Sequence, residues 1–318
     1  MTPDRPYSPR SLDPDRLHVV SVISNPVRYR SRVRLFHDNQ AKQAAAGVSS
    51  WVIEAVFGDR VPEVADPANP RHIIVRCDSE VWLKEAMINE AVRRLPVDAR
   101  FIMWQDADIE FLNPQWAAET LHALQHYRVV QPFSHAIDLG PDGEVLELHK
   151  GFAYLHEKGA EPMSSQYAFM HPGFCWAWRR EAWDRMGGMI DRAICGAGDH
   201  HMALALIGKA EKSLPGGIHA NYRAMVLDWQ TRAEEFVKRD IGHLPGTILH
   251  HFHGWKPDRQ YQGRWSILTS ENYDPATDVA VDSSGMLRLT DAKPGLRDKL
   301  RKYFRTRMED GGRKYWPV

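Results

Sequence analysis

Two carboxylates one residue apart, at the end of an apolar run, are the arrangement in this chain that most invites chemistry. In FIMWQDADIEFLNPQW, residues 101–116, Phe101 to Trp104 lead into Gln105, Asp106, Ala107 and Asp108, and the chain turns apolar again before Asn113-Pro114. An Asp in this place has a structural use as the cap of the next helix. Asn113-Pro114 already supplies a cap and a helical start, which leaves the two acids without a local use. Residues i and i+2 of an extended chain share a side, so both carboxylates face one cleft. Mg2+ and Mn2+ take clustered oxygen ligands and pair one or two carboxylates with substrate phosphates.

A second group lies far along the chain. TILHHFHGW places His250, His251 and His253 within four residues, just before Gly254. Singly, each reads as a hydrogen-bonded core histidine; together they read as ligands, imidazole suiting Mn2+ or another transition ion better than Mg2+. Strict alternation pairs His251 with His253, whereas a turn before Gly254 pairs His250 with His253. The third group is GAGDHH, residues 196–201. Gly196 and Gly198 permit a close backbone approach, and Asp199 falls at the start of a helix, as its N-cap or as a general base.

The elements that must position these groups follow from periodicity. LHVVSVIS (17–24), SSWVIEAVFG (49–58), HIIVRCD (72–78) and ARFIMWQ (99–105) read as strands, the first a continuous apolar run typical of a buried parallel strand. VRLFHDNQAKQAAAG, EVWLKEAMINEAVRRLP (80–96) and PQWAAETLHALQ read as helices between and after them. The alternation predicts an α/β chain with a largely parallel central sheet flanked by helices, in which ligands bind beyond the carboxyl ends of the strands. RVVQPFSHAI (128–137) reads as one further strand, 138–166 as loop or hairpin, GFCWAWRREAWDRMGG as strand, turn and helix, and TILHHFHGW as a late strand. From residue 257 the chain changes to basic helices around a short polar segment. The organisation expected is a loose arm at 1–16, one domain at 17–256, and an extension at 257–318 packing upon it.

Composition narrows the classes. Of 318 residues, 43% are hydrophobic and 26% charged, enough apolar mass for a sizeable core. Lysine and arginine balance aspartate and glutamate at 41 each, which gives no overall electrostatic case for nucleic acid or membrane. No apolar run approaches the ~20 residues of a membrane span, and the Pro-, Arg- and Asp-rich start lacks the apolar core of a signal peptide. Three scattered cysteines, Cys77, Cys175 and Cys195, show no CxxC spacing and fit reduced thiols in a cytoplasmic protein.

Taken in order, the three groups resemble those of the GT-A glycosyltransferases, family-2-like branch, over roughly residues 17–255. LHVVSVISNP resembles the opening nucleotide-binding strand, QDAD the metal-binding DxD, HPGFCWAWRREAWDRMGG with GAGDHHMALAL the acceptor segment and catalytic acid, and ILHHFHG the histidine that completes the metal site. The whole chain is also similar to a group of bacterial and tailed-phage proteins. Their pattern appears here as Ser24-Asn25-Pro26, Glu54 with Gly58-Asp59-Arg60, Asp106 to Ile109, His171 to Gly173, Asp199 to Ala203, His250 to Gly254, Arg259 with Tyr261, and Arg307 with Glu309-Asp310. The H-x-x-HG spacing in that pattern favours His250 with His253.

The resemblance implies a GT-A fold and transfer of a sugar from a nucleotide-sugar, a UDP-sugar first, with Mn2+ or Mg2+. Ser24, Glu54 and Asp78 would meet base or ribose, and Lys84 and Arg28 the diphosphate. Asp106 would contact ribose or metal, Asp108 the metal, with His250 and His253 completing its sphere. Lys256 and Arg259 would neutralise the leaving phosphate, and Asp199 would deprotonate the acceptor hydroxyl. Trp176, Trp178, His171 and His200 would shape the acceptor pocket. Many family-2 members carry Glu-Asp where Gly198-Asp199 stands, which leaves inversion or retention open. The acceptor is a glycan, metabolite or protein hydroxyl; a modified base in phage DNA is a narrower alternative, with Arg297, Lys299, Arg301, Lys302, Arg305 and Arg307 tracking phosphates. The competing class is a GT-A module that holds nucleotide or sugar without turnover. Nucleotidyl transfer would need a Gly-rich basic loop after the first strand, where SNPVRYRSR stands.

Overall fold

The computed structural model describes residues 15–162, 170–261, 263–290 and 292–311. All but the last two residues of the 1–16 arm lie outside them. In chain order the first half holds β1 (Leu17–Ser24), α1 (Arg30–Ala45), β2 (Ser49–Phe57), β3 (His72–Cys77), α2 (Lys84–Arg94), β4 (Phe101–Gln105), β5 (Ile109–Phe111) and α3 (Trp116–Ala123). Next come β6 (Val129–Gln131), β7 (His135–Leu139), β8 (Val145–Lys150), α4 (Phe152–Glu157), β9 (Cys175–Arg179), α5 (Arg180–Met186) and α6 (Gly198–Leu206). The chain closes with α7 (Ala220–Arg232), β10 (Ile241–His243), β11 (Thr247–His250), α8 (Trp265–Ser270), β12 (Val279–Val281), β13 (Leu287–Leu289) and α9 (Pro294–Thr306).

A seven-stranded sheet in the order β10-β6-β9-β4-β1-β2-β3 forms the centre. β3, β2, β1 and β4 are parallel, and β9 inserts antiparallel between β4 and β6. The sequences explain the positions: β1, β2 and β4 are almost wholly buried, whereas β3 alternates buried and exposed residues as an edge strand does. Met87, Ile88 and Ala91 of α2 pack on one face with α5, α6 and α7. Trp116 and Ala117 of α3, with Ile248 of β11, cover part of the other. A smaller sheet, β5-β11-β7-β8, stands at the carboxyl end of β4. The expected α/β architecture with a largely parallel sheet and flanking helices is present.

Three local expectations change. Residues 128–137 form two strands in different sheets, because Pro132 has no N–H for a ladder and the chain crosses from β6 to β7 there. The second helix begins at Lys84 rather than at residue 80: Trp82 N–H donates to the Ile194 carbonyl at 2.9 Å, which pins the preceding turn to another segment. α3 begins at Trp116, two residues beyond Pro114, with Asn113 Oδ1 accepting from Gln115 N–H at 2.9 Å.

Beyond residue 257 the chain returns to the main body. Leu296, Leu300, Tyr303 and Phe304 of α9 join the principal core. The segment after α9 then locks onto the first βα connection. Arg307 Nε donates to Glu309 Oε1 at 2.5 Å, and Arg32 Nη2 donates to the same oxygen at 2.6 Å. Asp310 accepts from the backbone N–H groups of Arg30 and Ser31, at 2.9 and 2.8 Å, and so caps α1 from 280 residues away. Gly254 (φ 101°) passes beneath this segment; a Cβ there would stand 2.9 Å from the Arg307 carbonyl oxygen. No helix among the described residues is long and apolar enough to cross a membrane.

Arg307 is 2% exposed and depends on the Glu309 carboxylate. Glu309→Ala is expected to cost about 3–5 kcal/mol in urea unfolding, because it leaves a buried guanidinium uncompensated. Lys302→Ala, on the exposed side of α9, is expected to stay within about 0.5 kcal/mol. Equal, small effects of the two would show that the buried pair does not fasten the extension.

Candidate active site

The carboxyl ends of β1, β4 and β11 meet at one cavity of about 690 Å³, a size suited to a nucleotide-bearing ligand. Strand register assembles its first cluster. His250 pairs with Ile109 of β5 on one side and with Asp138 of β7 on the other. Asp108 immediately precedes β5, and its carbonyl accepts from His251 N–H at 2.8 Å. The chain leaves the strand at His251, whose ring turns away to Glu110 (Nε2 to Oε2 3.0 Å), and His253 comes back toward His250. The rings of His250 and His253 cross at 76° with centroids 4.9 Å apart.

Asp108 stands between these rings. Its Oδ2 is 3.4 Å from His253 Nδ1 and its Oδ1 is 3.8 Å from His250 Nε2. One ligand atom from each of the three residues lies within 4.8 Å of the others. Around a small divalent ion with bonds of ~2.1 Å, ligand atoms sit ~3 Å apart, so little closure is needed. Asp108 Oδ1 is buried and has no hydrogen-bond partner among the described residues, a costly state that a cation relieves. The donor set therefore fits a divalent metal. Burial opposes ionisation of Asp108, but the His253 and His250 imidazoles and the Arg259 cation outweigh it and hold the carboxyl below its ordinary value. Burial, with Arg259 adding, pushes His253 down to about 3, which keeps its ring neutral.

Behind the cluster lies a carboxylate that fixes a tautomer. His250 Nδ1 donates to Asp138 Oδ1 at 2.7 Å, which leaves Nε2 with its lone pair toward Asp108. Asp138 Oδ2 in turn is 2.9 Å from His149 Nε2 and 2.6 Å from Lys256 Nζ. Burial would neutralise Asp138, yet the hydrogen bonds from His149 and His250 hold its carboxyl far below the carboxylate range. Asp138, Glu147 and His149 also lie within ligand distance of one another, but the Lys256 ammonium fills that space, paired with both acids.

The rest of the cavity is built on two helix starts. Lys84, at the head of α2, forms an ion pair with Asp106 Oδ1, and its Nζ lies 4.4 Å from the centre of the Trp104 ring. Burial disfavours the Lys84 charge, but Asp106, Asp199 and Glu85 raise its pKa well above the usual lysine value. Asp199 is in the first turn of α6 and accepts from His200 N–H at 2.8 Å. Two glycines make room here. A Cβ on Gly173 would stand 2.9 Å from Asp199 Oδ2, and one on Gly198 would stand 2.6 Å from Glu85 Oε1. Burial pushes the Glu85 carboxyl up to about 8, with the Asp199 charge adding to the effect against the pull of Lys84.

The cavity thus brings together Ser24, Lys84, Asp106, Asp108 and Asp199 with His171, His250, His253, Lys256 and Arg259. Asp106-Ala107-Asp108 is a turn between β4 and β5 rather than extended chain. Ala107 packs toward Ile23 and Phe36, and the acids on either side face the cavity. Asp106 is paired with Lys84 and stands outside the carboxylate–imidazole cluster. Other residues expected at the site are placed elsewhere. Glu54 is buried and accepts from the backbone N–H groups of Glu63, Val64 and Ala65, tying down a loop. The Arg28 side chain is 67% exposed and pairs with Glu63, and Asp78 is exposed at the end of β3. Trp178 packs in the core against Trp183 and Trp229, and Trp176 donates its indole N–H to the Pro172 carbonyl at 2.8 Å. His200 is not among the lining residues. Asp138, His149, Glu147 and Glu85 were not anticipated. Only strand pairing puts Asp138 beside His250, and only the meeting of two helix starts puts Glu85 beside Asp199. Cavity-lining Arg32, Arg264 and Arg307 add cations that three distant segments contribute.

No family model matches the chain, and no curated protein matches it. Among solved structures it is similar to a Drosophila β1,4-galactosyltransferase 7 variant in complex with manganese, UDP-Gal and xylobiose, at 10% identity and a TM-score of 0.41, over 88% of this chain and 98% of that one. It is similar to the mannosyltransferase PcManGT from Pyrobaculum calidifontis in complex with GDP-Man and Mn2+, at 14% identity and a TM-score of 0.43, over 96% of this chain and 72% of that one. The catalytic domain of the Drosophila enzyme with xylobiose matches at 14% identity and a TM-score of 0.33, and there the chain spans 62% of the other's length.

The buried Glu85 sets a pH dependence. The folded chain keeps this proton up to a pH of about 8, whereas the unfolded chain releases it near 4.5. Between those values only the unfolded state has lost the proton, so rising pH favours unfolding. Glu85→Gln has no such proton to release. Its stability relative to the parent protein is expected to rise from pH 5 to pH 8, by up to about 1.4 kcal/mol per pH unit, in urea unfolding in the presence of chelator. A difference that is flat in pH would contradict the assignment.

Proposed function

We propose that this chain is a GT-A glycosyltransferase that uses a divalent metal to move a sugar from a nucleotide-sugar to an acceptor hydroxyl. The observation that carries the reading is the convergence of Asp108, His250 and His253, with one carboxylate oxygen left unpartnered, in the cavity that also holds Asp106, Lys84 and Asp199. Two imidazoles with a carboxylate favour Mn2+ over Mg2+.

When bound, the metal supplies Lewis-acid stabilisation of the departing nucleoside diphosphate. The chain's own residues do the rest. Asp108, His250 and His253 hold the ion, and Asp138 keeps His250 in the ligating tautomer. Ser24 and Asp106 face the nucleotide side, Asp106 being held in place by Lys84. Arg259, whose Nε has no hydrogen-bond partner among the described residues, is the cation assigned to the phosphates. Lys256 is committed to Asp138 and Glu147 and serves the metal site through them. Asp199 takes the proton of the acceptor hydroxyl as its oxygen bonds to the anomeric carbon. The bond from that carbon to the phosphate oxygen breaks, and the electron pair leaves with the diphosphate. Arg28, Glu54 and Asp78 stand outside the cavity and take no part in this scheme.

The acceptor is a carbohydrate, metabolite or protein hydroxyl in preference to DNA. On α9, Glu80 meets both Arg301 and Arg305, and Glu271 meets Lys299, which removes much of the charge that phosphate tracking needs.

A thermal-shift screen of UDP- and GDP-sugars with and without Mn2+ tests the reading, since a ligand bound by the folded state at 100 times its Kd adds about 2.7 kcal/mol of stability. Stabilisation is expected only with Mn2+ present. Asp108→Ala is expected to abolish it together with Mn2+-dependent release of nucleoside diphosphate. Asp138→Asn is expected to weaken Mn2+ binding by about 10–100-fold. Asp199→Asn is expected to keep donor binding and lose about 10²–10⁴-fold in transfer rate. Stabilisation without turnover in the parent protein would point to a binding module, and no stabilisation by any nucleotide-sugar would sink the reading.

A further inference from the structure

Glu85 has no task in the reaction above, yet the fold keeps it at some cost. It is 1% exposed, lines the cavity, and its Oε2 has no hydrogen-bond partner among the described residues. A buried carboxyl oxygen left unpaired is destabilising, so the arrangement calls for a partner that arrives from outside. Its neighbour Lys84 does not fill that need, since it is paired with Asp106. The surroundings are shaped to admit the carboxyl: at Gly198 a Cβ would stand 2.6 Å from both Glu85 Cγ and Oε1. The residue after this glycine is Asp199. The first turns of α2 and α6 therefore abut through the Glu85 side chain, and Glu85 and Asp199 both line the cavity, near enough for the Asp199 charge to raise the Glu85 carboxyl.

We propose that Glu85 is a substrate-contacting residue of the acceptor subsite: its Oε2 hydrogen-bonds the hydroxyl next to the one that Asp199 deprotonates. The acceptor is then a sugar or another vicinal polyol, and an isolated hydroxyl such as a serine side chain is a poor fit. This rests on the sugar-transfer reading and sharpens it, since that reading alone leaves all hydroxyl acceptors open. A hydroxyl suits Glu85 in either protonation state, accepting from the neutral carboxyl or donating to the ionised one. An apolar acceptor, or one with a single hydroxyl, would leave Oε2 unpaired and lose affinity for that reason.

Saturation-transfer NMR on the full chain with Mn2+ and UDP or GDP tests this. The probes are methyl α-D-mannopyranoside, methyl β-D-galactopyranoside and methyl β-D-glucopyranoside, with N-acetyl-L-serinamide as the single-hydroxyl compound. At least one glycoside is expected to bind the parent protein better than the serinamide does. Glu85→Leu is expected to weaken that glycoside by about tenfold or more, while Glu85→Gln, which can still hydrogen-bond, stays within about threefold. The nucleotide and Mn2+ affinities of Glu85→Leu, unchanged within about twofold, show that the site has kept its shape; Glu85→Met replaces it if the leucine variant does not fold. Glycosides that bind Glu85→Leu as well as the parent, or no glycoside binding to the parent while nucleotide and Mn2+ bind, would overturn the inference alone. Failure of both nucleotides to bind with Mn2+ would instead remove the sugar-transfer reading, and this inference with it.

Discussion

The cavity depends on the placement of one short strand. β11 lies between β5 and β7, and its last residue, His250, meets Ile109 on one side and Asp138 on the other. That register sets Asp108 at the strand's end, aims His250 at it, and puts behind the ring the carboxylate that fixes its tautomer. A one-residue slip would turn the His250 side chain to the opposite face of the sheet and undo all three contacts at once. The apolar partners of β11, Ile248 among them, hold the register by packing. Packing energy is in this way converted into the position of the cluster of ligands.

The cavity walls are heavily charged and nearly balanced. Carboxylates at 106, 138 and 147 each have a lysine partner. Arg307 and Glu309 neutralise one another beside Gly254 and tie in Arg32 from α1. Against this background the exceptions stand out. Three of the buried cavity-lining atoms without a hydrogen-bond partner among the described residues are Asp108 Oδ1, Glu85 Oε2 and Arg259 Nε; Trp82 Nε1 and His149 Nδ1 are others. The first three define three needs: a cation, a hydroxyl and an anion. In the proposed reaction a metal, a polyol and a diphosphate would answer them in turn.

The parts of this arrangement that lie in local sequence could be read directly. Continuous apolar runs marked β1, β2 and β4, and the acids after β4 marked the cavity because ligands gather at carboxyl ends of parallel strands. The three histidines were visible, but strict alternation pairs His251 with His253, and the structure pairs His250 with His253 instead. The turn that follows the strand decides, sending His251 to Glu110 and returning His253. Asp138 and Glu85 were illegible for a different reason. Each is an ordinary acid in an ordinary strand or helix, and its significance comes from what a distant segment places beside it. Glu54 shows the converse: a carboxylate near a strand end that reads as a ligand contact is occupied by three backbone N–H groups. The closing Arg307, Glu309 and Asp310 join the start of α1 to the end of the chain, a long-range contact with no local signature.

The central claim is that Asp108, His250 and His253 grip one divalent ion beside the nucleotide. Anomalous diffraction at the manganese edge, from crystals soaked with Mn2+ and UDP, tests it most directly. The account predicts a single strong peak within bonding distance, about 2.0–2.4 Å, of an Asp108 oxygen and a ring nitrogen of each histidine, with diphosphate density adjoining it. A peak elsewhere, or an ordered diphosphate in the cavity with no anomalous signal beside Asp108, would contradict it.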